Sequence, residues 1–292
     1  MTIPDATLDG AGAPTVPPNG AGAAPGTGRP DTPAPVRDRI RLRYTKLGKI
    51  RFTSHRDVAR MWERALRRSG MPVAWSEGFS PHPLLSFGLA LPTGCESRAE
   101  YLDIRLDPAE RPGRRPGAAE PAGGLPGILS GLLPEGIEVQ AVGPVPDGAG
   151  SLQQDVTSCN WELEVLGVAA QELATRIEQL LDAPSVVIRR QRKGRQVEDD
   201  LRPSVLALAP IEVAAGPGPR GDGALPLRAE LATHPRGVRP GELLEGLGTD
   251  LVLVRACRTH QWIERDGART EPLASSGTEP GNGAPHAQER AS

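Results

Sequence analysis

Between residues 39 and 53 the chain reads RIRLRYTKLGKIRFT, with Ile40, Leu42 and Tyr44, then Ile50 and Phe52, on alternate positions among basic residues. A period of two marks a strand with one buried face, and Leu47-Gly48 is a turn signal, so the segment predicts a strand or hairpin. The period then changes. Val58, Met61, Trp62, Ala65 and Leu66 recur at spacings of three and four, which predicts a helix over 55–69. Ser54 stands as its N-cap with Asp57 as a short capping-box partner, and Gly70 follows Arg67-Arg68 as the stop. Further strands are predicted at 72–76, 99–106 and 137–142, with a short helix at 127–133. Past residue 155 come strands at 159–166, 185–191, 204–213, 225–232 and 251–263, with helices at 169–182 and 240–247.

Each stretch runs close to β-α-β-β-α-β, the split βαβ order, which packs two helices on one face of an antiparallel sheet. The predicted architecture is α+β: two tandem ferredoxin-like domains, at 37–142 and 156–265, joined by a Gly/Pro-rich linker at 143–155. Residues 1–36 and 266–292 carry no apolar periodicity and predict disordered tails, since such segments bury too little apolar surface to offset the entropy of ordering. Residues 107–126 (DPAERPGRRPGAAEPAGGLP) predict a flexible insertion.

The sequence carries no basic start followed by an apolar run, and no stretch approaches the roughly 18 apolar residues that a membrane span needs. The expectation is a cytoplasmic protein that does not enter a membrane. Cys95, Cys159 and Cys257 lie far apart with no CxxC pair, which argues against a disulfide framework, a structural zinc or an iron–sulfur cluster held by this chain. They are expected to be buried thiols, and no metal is assigned. No Walker-type glycine loop, HExxH or nucleophile elbow occurs.

Charge adds a second pattern. The net charge of −2 conceals a segment, 37–68, with twelve Lys/Arg against three acids (Asp38, Asp57, Glu63). Arg56, Arg60, Arg64 and Arg67 or Arg68 fall on one helical stripe opposite the apolar one, and RRQRKGR at 189–195 adds Arg189, Arg190, Arg192 and Lys193. Such a surface suits nucleic-acid phosphates, or is a solvated face or the seat of an acidic protein partner. His55, beside Arg56 and the strand-borne Tyr44, has the makings of a metal-independent endoribonuclease centre, with the histidine as general acid–base; the bland alternative is a cap or a phosphate contact. In WSEGFSPHPLLSFG (75–88), Phe79 and His82 sit on a loop stiffened by Pro81 and Pro83, fit to stack on an unpaired base. Equally, Trp75, Phe79 and Phe87 serve as packing over the helix.

The block FTSHRDVARMWERALRRSGMPVAWSEGFSPHPLLSFGLALPTGCESRAEYLDIRL (52–106) resembles the signature of the radical SAM-linked protein family, a domain of unknown function. Its FTSH-D, ALRR-G-P, SEGF-PHP and SFG-LP-G-ES-AEYLD elements are all present, with Arg56 and Cys95 as departures. The resemblance extends more loosely over about 37–265 and implies an accessory to a radical S-adenosylmethionine (radical SAM) enzyme. With no CxxxCxxC motif, the chain resembles the stand-alone form; the iron–sulfur cluster and S-adenosylmethionine are then expected on the partner and none on this chain. The block is more distantly similar to the CRISPR repeat-processing endoribonucleases, a fold-level likeness. The expected function is a non-catalytic accessory that binds RNA or presents a substrate, with an endoribonuclease or a protein–protein adaptor as alternatives.

Overall fold

The computed structural model describes residues 39–107, 124–146, 148–192 (only the backbone at Arg192), 194–212 and 223–273. The predicted tail at 1–36, the part of the predicted 266–292 tail beyond 273, most of the 107–126 insertion, and Lys193 lie outside these residues.

The N-terminal half begins with β1 (Arg39–Lys46), α1 (His55–Ser69), β2 (Leu85–Phe87), β3 (Glu96–Arg105), α2 (Gly124–Leu132) and β4 (Val139–Pro144). The alternation in β1 sends Ile40, Leu42 and Tyr44 into a core with Val58, Trp62 and Leu66 of α1 and Leu129 of α2. Tyr44 meets Trp62 edge-on at 5.1 Å. The pairing is antiparallel throughout, in the order β4-β1-β3 with β2 on the far side of β3.

The C-terminal half holds α3 (Leu152–Asp155), β5 (Val156–Leu166), α4 (Ala170–Asp182), β6 (Val187–Arg192), β7 (Arg195–Asp200), β8 (Val205–Pro210), β9 (Leu225–Ala232), α5 (Pro240–Leu247), β10 (Val252–Arg265) and β11 (Ala268–Thr270). Cys159, Trp161, Leu163 and Val165 of β5 pack with Leu173 and Ile177 of α4 and Leu243 and Leu247 of α5. Its antiparallel order is β10-β5-β9-β8, while β6 and β7 form a separate hairpin.

One sheet runs through both halves, because β3 and β10 meet as parallel neighbours at Cys257–Glu96 and Arg258–Ser97. The protein is thus α+β with a large, mostly antiparallel sheet and few helices.

Several predicted elements differ. After β1 the chain turns into a 3-10 helix, Gly48–Phe52, instead of a second strand; Lys46 donates to the Thr53 carbonyl at 3.0 Å and Glu96 accepts from the Gly48 N–H at 2.9 Å, which favours the compact turn. The predicted strand at 72–76 is two single bridges, Val73–Leu106 and Trp75–Pro83. Residues 195–200 form an unpredicted strand, β7. The linker contains α3, whose Leu152 is buried.

The C-terminal boundary also moves. Residues 268–270 pair with β10, and residues 271–273 lie over the face of β1 and β3 opposite the helices. There Glu271 pairs with Arg43, the Pro272 carbonyl accepts from Arg41 at 3.3 Å and the Leu273 carbonyl from Tyr101 at 3.4 Å. Arg41 is held bidentately by Asp103 at 2.7 and 2.8 Å. Around Arg41 and Arg43 both faces of these strands are therefore buried, and the two guanidinium groups are tolerated there because Asp103 and Glu271 pair with them.

Candidate functional site

Ser54 caps α1 by accepting from the Asp57 N–H at 3.2 Å and donating to its carboxylate at 2.7 Å, and Gly70 ends the helix at φ 66°. This fixes the direction of every side chain on the helix. Arg56, Arg60, Arg64, Arg67 and Arg68 are all exposed, so the stripe exists. It is not a free row of cations, however. Arg60 lies 3.6 Å from Asp57, Arg68 donates to the Leu132 carbonyl at 2.6 Å, and Arg67 stacks over Trp75 at 4.9 Å. Arg64, Arg67 and Arg68 line a groove between α1 and the end of α2.

Arg67 also reaches the Pro81 carbonyl at 3.5 Å, tying α1 to the loop at 75–83. The histidine between two prolines closes that loop. His82 donates its N–H to the Ser76 hydroxyl at 3.1 Å, its Nδ1 lies 2.8 Å from the same oxygen, and its carbonyl accepts from the Ser76 N–H at 2.9 Å. Gly78, at φ 117°, supplies the turn, and Phe79 stands fully exposed at the tip. Trp75 is committed to Arg67 and Phe87 to His55, whose rings meet edge-on at 4.9 Å. His82 lines a small cleft with Arg39, Asp103 and Arg105, apart from His55.

Tyr44, considered as a catalytic partner for His55, is 3% exposed, and burial raises its pKa well above the usual phenol value. Its hydroxyl lies in the core against Trp62 and cannot serve a surface reaction.

His55 instead joins the C-terminal half. A cleft of about 1060 Å³ is lined by His55, the segment Ala90–Thr93 and Cys95 on one side, and by Arg189, Arg190, Arg236 and Arg239 on the other. This brings together two features that are 134 residues apart in sequence, His55 and Arg189. Arg56, Arg60 and Arg64 are not among its lining residues. The arginines are partly balanced: Arg189 by Glu198 at 3.0 Å, Arg190 by Asp199, and Arg236 by Asp199 at 3.1 Å and Glu242 at 2.8 Å. The Arg189–Glu198 pair is mostly exposed, so solvent screens it and an incoming anion exchanges for the carboxylate at little cost. The Arg239 N–H donates to Glu242 at 2.9 Å, starting α5, and its side chain is exposed.

Behind the cleft, a charged seam holds the halves together. Glu96 accepts from Gly48 and Arg255, and Arg255 also binds Glu164 at 3.2 Å. Arg258, fully buried, donates to Glu100 at 2.5 Å and to the Leu89 carbonyl at 2.8 Å. The three cysteines are free and buried, as expected. Among the described residues no cluster of His, Cys, Asp and Glu is placed to hold a metal ion, and no helix is long and apolar enough to cross a membrane.

Sequence reasoning missed Arg236, Arg239 and the Ala90–Thr93 wall. A signal existed in RGVRPGELLEG (236–246), where an arginine precedes a proline at a helix start, but nothing local shows that this turn faces His55.

A family profile described as "Uncharacterized protein conserved in bacteria" (DUF2344) matches residues 39–236. No curated protein matches the chain. Among solved structures, "Crystal Structure of a Cbf5-Nop10-Gar1 Complex" is similar over 77% of this chain and 49% of that chain, at 10% identity and a TM-score of 0.39. The chain thus spans about half the length of that solved chain.

Proposed function

We propose that this chain, which belongs to the DUF2344 family of uncharacterized bacterial proteins, is a cytoplasmic accessory protein. It binds RNA in the cleft between its halves and presents it to a separate radical SAM enzyme. The observation that carries the RNA reading is the convergence of His55 with Arg189, Arg190, Arg236 and Arg239 on one cleft. Guanidinium groups suit phosphate oxygens by their planar fork of donors. The partner is inferred from the resemblance of residues 52–106 to the radical SAM-linked family; the cluster and S-adenosylmethionine would belong to that enzyme. The distant likeness to CRISPR repeat-processing endoribonucleases supports RNA as the polyanion. Each half is read as a ferredoxin-like unit, supported by the shared strand order in which the fourth strand lies beside the first and the third beside the second.

The test is the binding of a fluorescent single-stranded RNA at several salt concentrations, for the parent and for Arg189→Gln/Arg190→Gln/Arg239→Gln. Each lost phosphate contact should flatten the log–log salt slope by about 0.7, so the triple variant should lose about two units. An unchanged slope, or no RNA binding by the parent at low salt, overturns the RNA reading and leaves the adaptor reading. Recovery of a radical SAM protein in a pull-down from the native cells is the expected result for the partner.

A further inference from the structure

The geometry points to a second compartment of this site: a side pocket that takes one nucleobase of the bound RNA. The inference rests on the cleft being the RNA site. A cavity of about 240 Å³ lies beside the cleft, lined among others by Cys159, Trp161, Ala232, Val238 and Arg258. It shares Ala90, Pro92, Gly237 and Arg239 with the larger cleft, so one ligand can reach both. At roughly 30 Å³ per water, the pocket has room for about eight waters, the scale of one heterocyclic ring system.

The two compartments differ in character. The cleft is rich in charge, whereas the side pocket is mainly apolar with a few polar groups, the usual make-up of a small-ligand site. A ligand that fills both is anionic at one end and flat and uncharged at the other, as a nucleotide is. Arg258 explains why the pocket does not hold the phosphate. Its charge is already met by Glu100, so the pair is close to neutral. Its Nε has no hydrogen-bond partner among the described residues, and its guanidinium lies 5.7 Å from the Trp161 ring centroid. The pocket thus sets the Trp161 ring beside a guanidinium already neutralised by Glu100, walls that suit a flat uncharged ring better than a phosphate.

The cysteines report on the compartments separately: Cys95 lines the cleft, Cys159 the side pocket, and Cys257 neither. Burial pushes the Cys159 thiol up to about 11, so alkylation is slow and can be followed in time. The full chain is treated with iodoacetamide at mildly alkaline pH, and each site is quantified by mass spectrometry. The arms are protein alone, with inorganic phosphate, and with adenosine or uridine monophosphate. The nucleotides should slow Cys159 alkylation several-fold, phosphate should not, and Cys257 should be unaffected. Nucleotide protection of Cys95 without Cys159 overturns the side pocket and leaves the cleft reading standing. Where RNA binds the parent but neither nucleotide protects Cys159, the base pocket is likewise overturned; where RNA does not bind, the cleft reading itself fails. Should Cys159 not react, Ala232→Phe decides, with Ala232→Leu as the milder filling and the melting temperature as the check on folding. Filling the pocket should weaken nucleotide binding about tenfold, from lost base stacking, while phosphate binding is unchanged. Equal nucleotide affinity in variant and parent overturns the proposal.

Discussion

Glu96 serves three segments at once: the Gly48 N–H at 2.9 Å, Arg51 at 3.4 Å and Arg255 at 2.6 Å. Burial pushes its pKa up, but the bonds from Arg255 and Gly48 and the two nearby guanidinium charges outweigh it and hold the carboxyl below the usual carboxylate value. A group whose pKa is lowered by folding stabilises the protein above its unfolded pKa, and that stability is lost as pH falls through the folded value. Glu96→Gln should therefore cost about 1.5–3 kcal/mol near neutral pH, the usual worth of hydrogen bonds to a charged group, since Arg255 keeps Glu164 as a partner. Urea unfolding at pH 7 and again near pH 3 checks it: the gap between variant and parent should shrink in acid, and a gap of equal size at both would count against this account. His82 yields a different expectation. Its bonds to Ser76 close the loop whose tip is Phe79, so His82→Ala should speed chymotrypsin cleavage at Phe79 in the native protein. Cleavage at the parent rate would mean the prolines alone hold the loop. Proline on both sides of His82 was visible in the sequence as stiffness; that the ring serves the loop's neck depends on Ser76 folding back to meet it.

Among the elements, α1 was legible nearly to the residue, because its cap, apolar stripe and glycine stop are all local. Ser54→Ala should cost about 1 kcal/mol, the usual worth of such a cap, and the loss should show in thermal or urea unfolding. The arginine stripe was legible as spacing, but not in its use. Arg67 leaves it for Trp75, Arg68 for a carbonyl at the end of α2, and Arg64 faces a groove separate from the His55 cleft. Replacing Arg56, Arg60 and Arg64 by Gln should accordingly leave the RNA salt slope nearly unchanged, in contrast to the cleft triple variant; a drop of about two units would move the RNA onto the helix. The β6–β7 hairpin escaped sequence reading on its second strand. RQVEDD has little apolar content to mark a period, and Arg189–Glu198 and Arg190–Asp199 are pairs that declare themselves only once the strands face each other.

Over the whole molecule, the sheet passes from one half to the other through two residue pairs of β3 and β10. That short contact is reinforced by Arg255–Glu96, Arg258–Glu100 and the Gln261 amide donating to the Ala99 carbonyl. Unfolding should therefore be one cooperative event, with circular dichroism and the fluorescence of Trp62, Trp75, Trp161 and Trp262 changing together. Two separated transitions would show that the halves fold independently. Strand and helix periods, caps, glycine stops and the α+β class were written into neighbouring residues, since each rests on backbone geometry and burial repeating over a few positions. The joining of the halves, the return of residues 271–273 onto Arg41 and Arg43, and the meeting of His55 with Arg189 and Arg239 were not. Each requires partners far apart in the chain, and their pairing is chosen by which polar groups can satisfy one another once the two cores have packed.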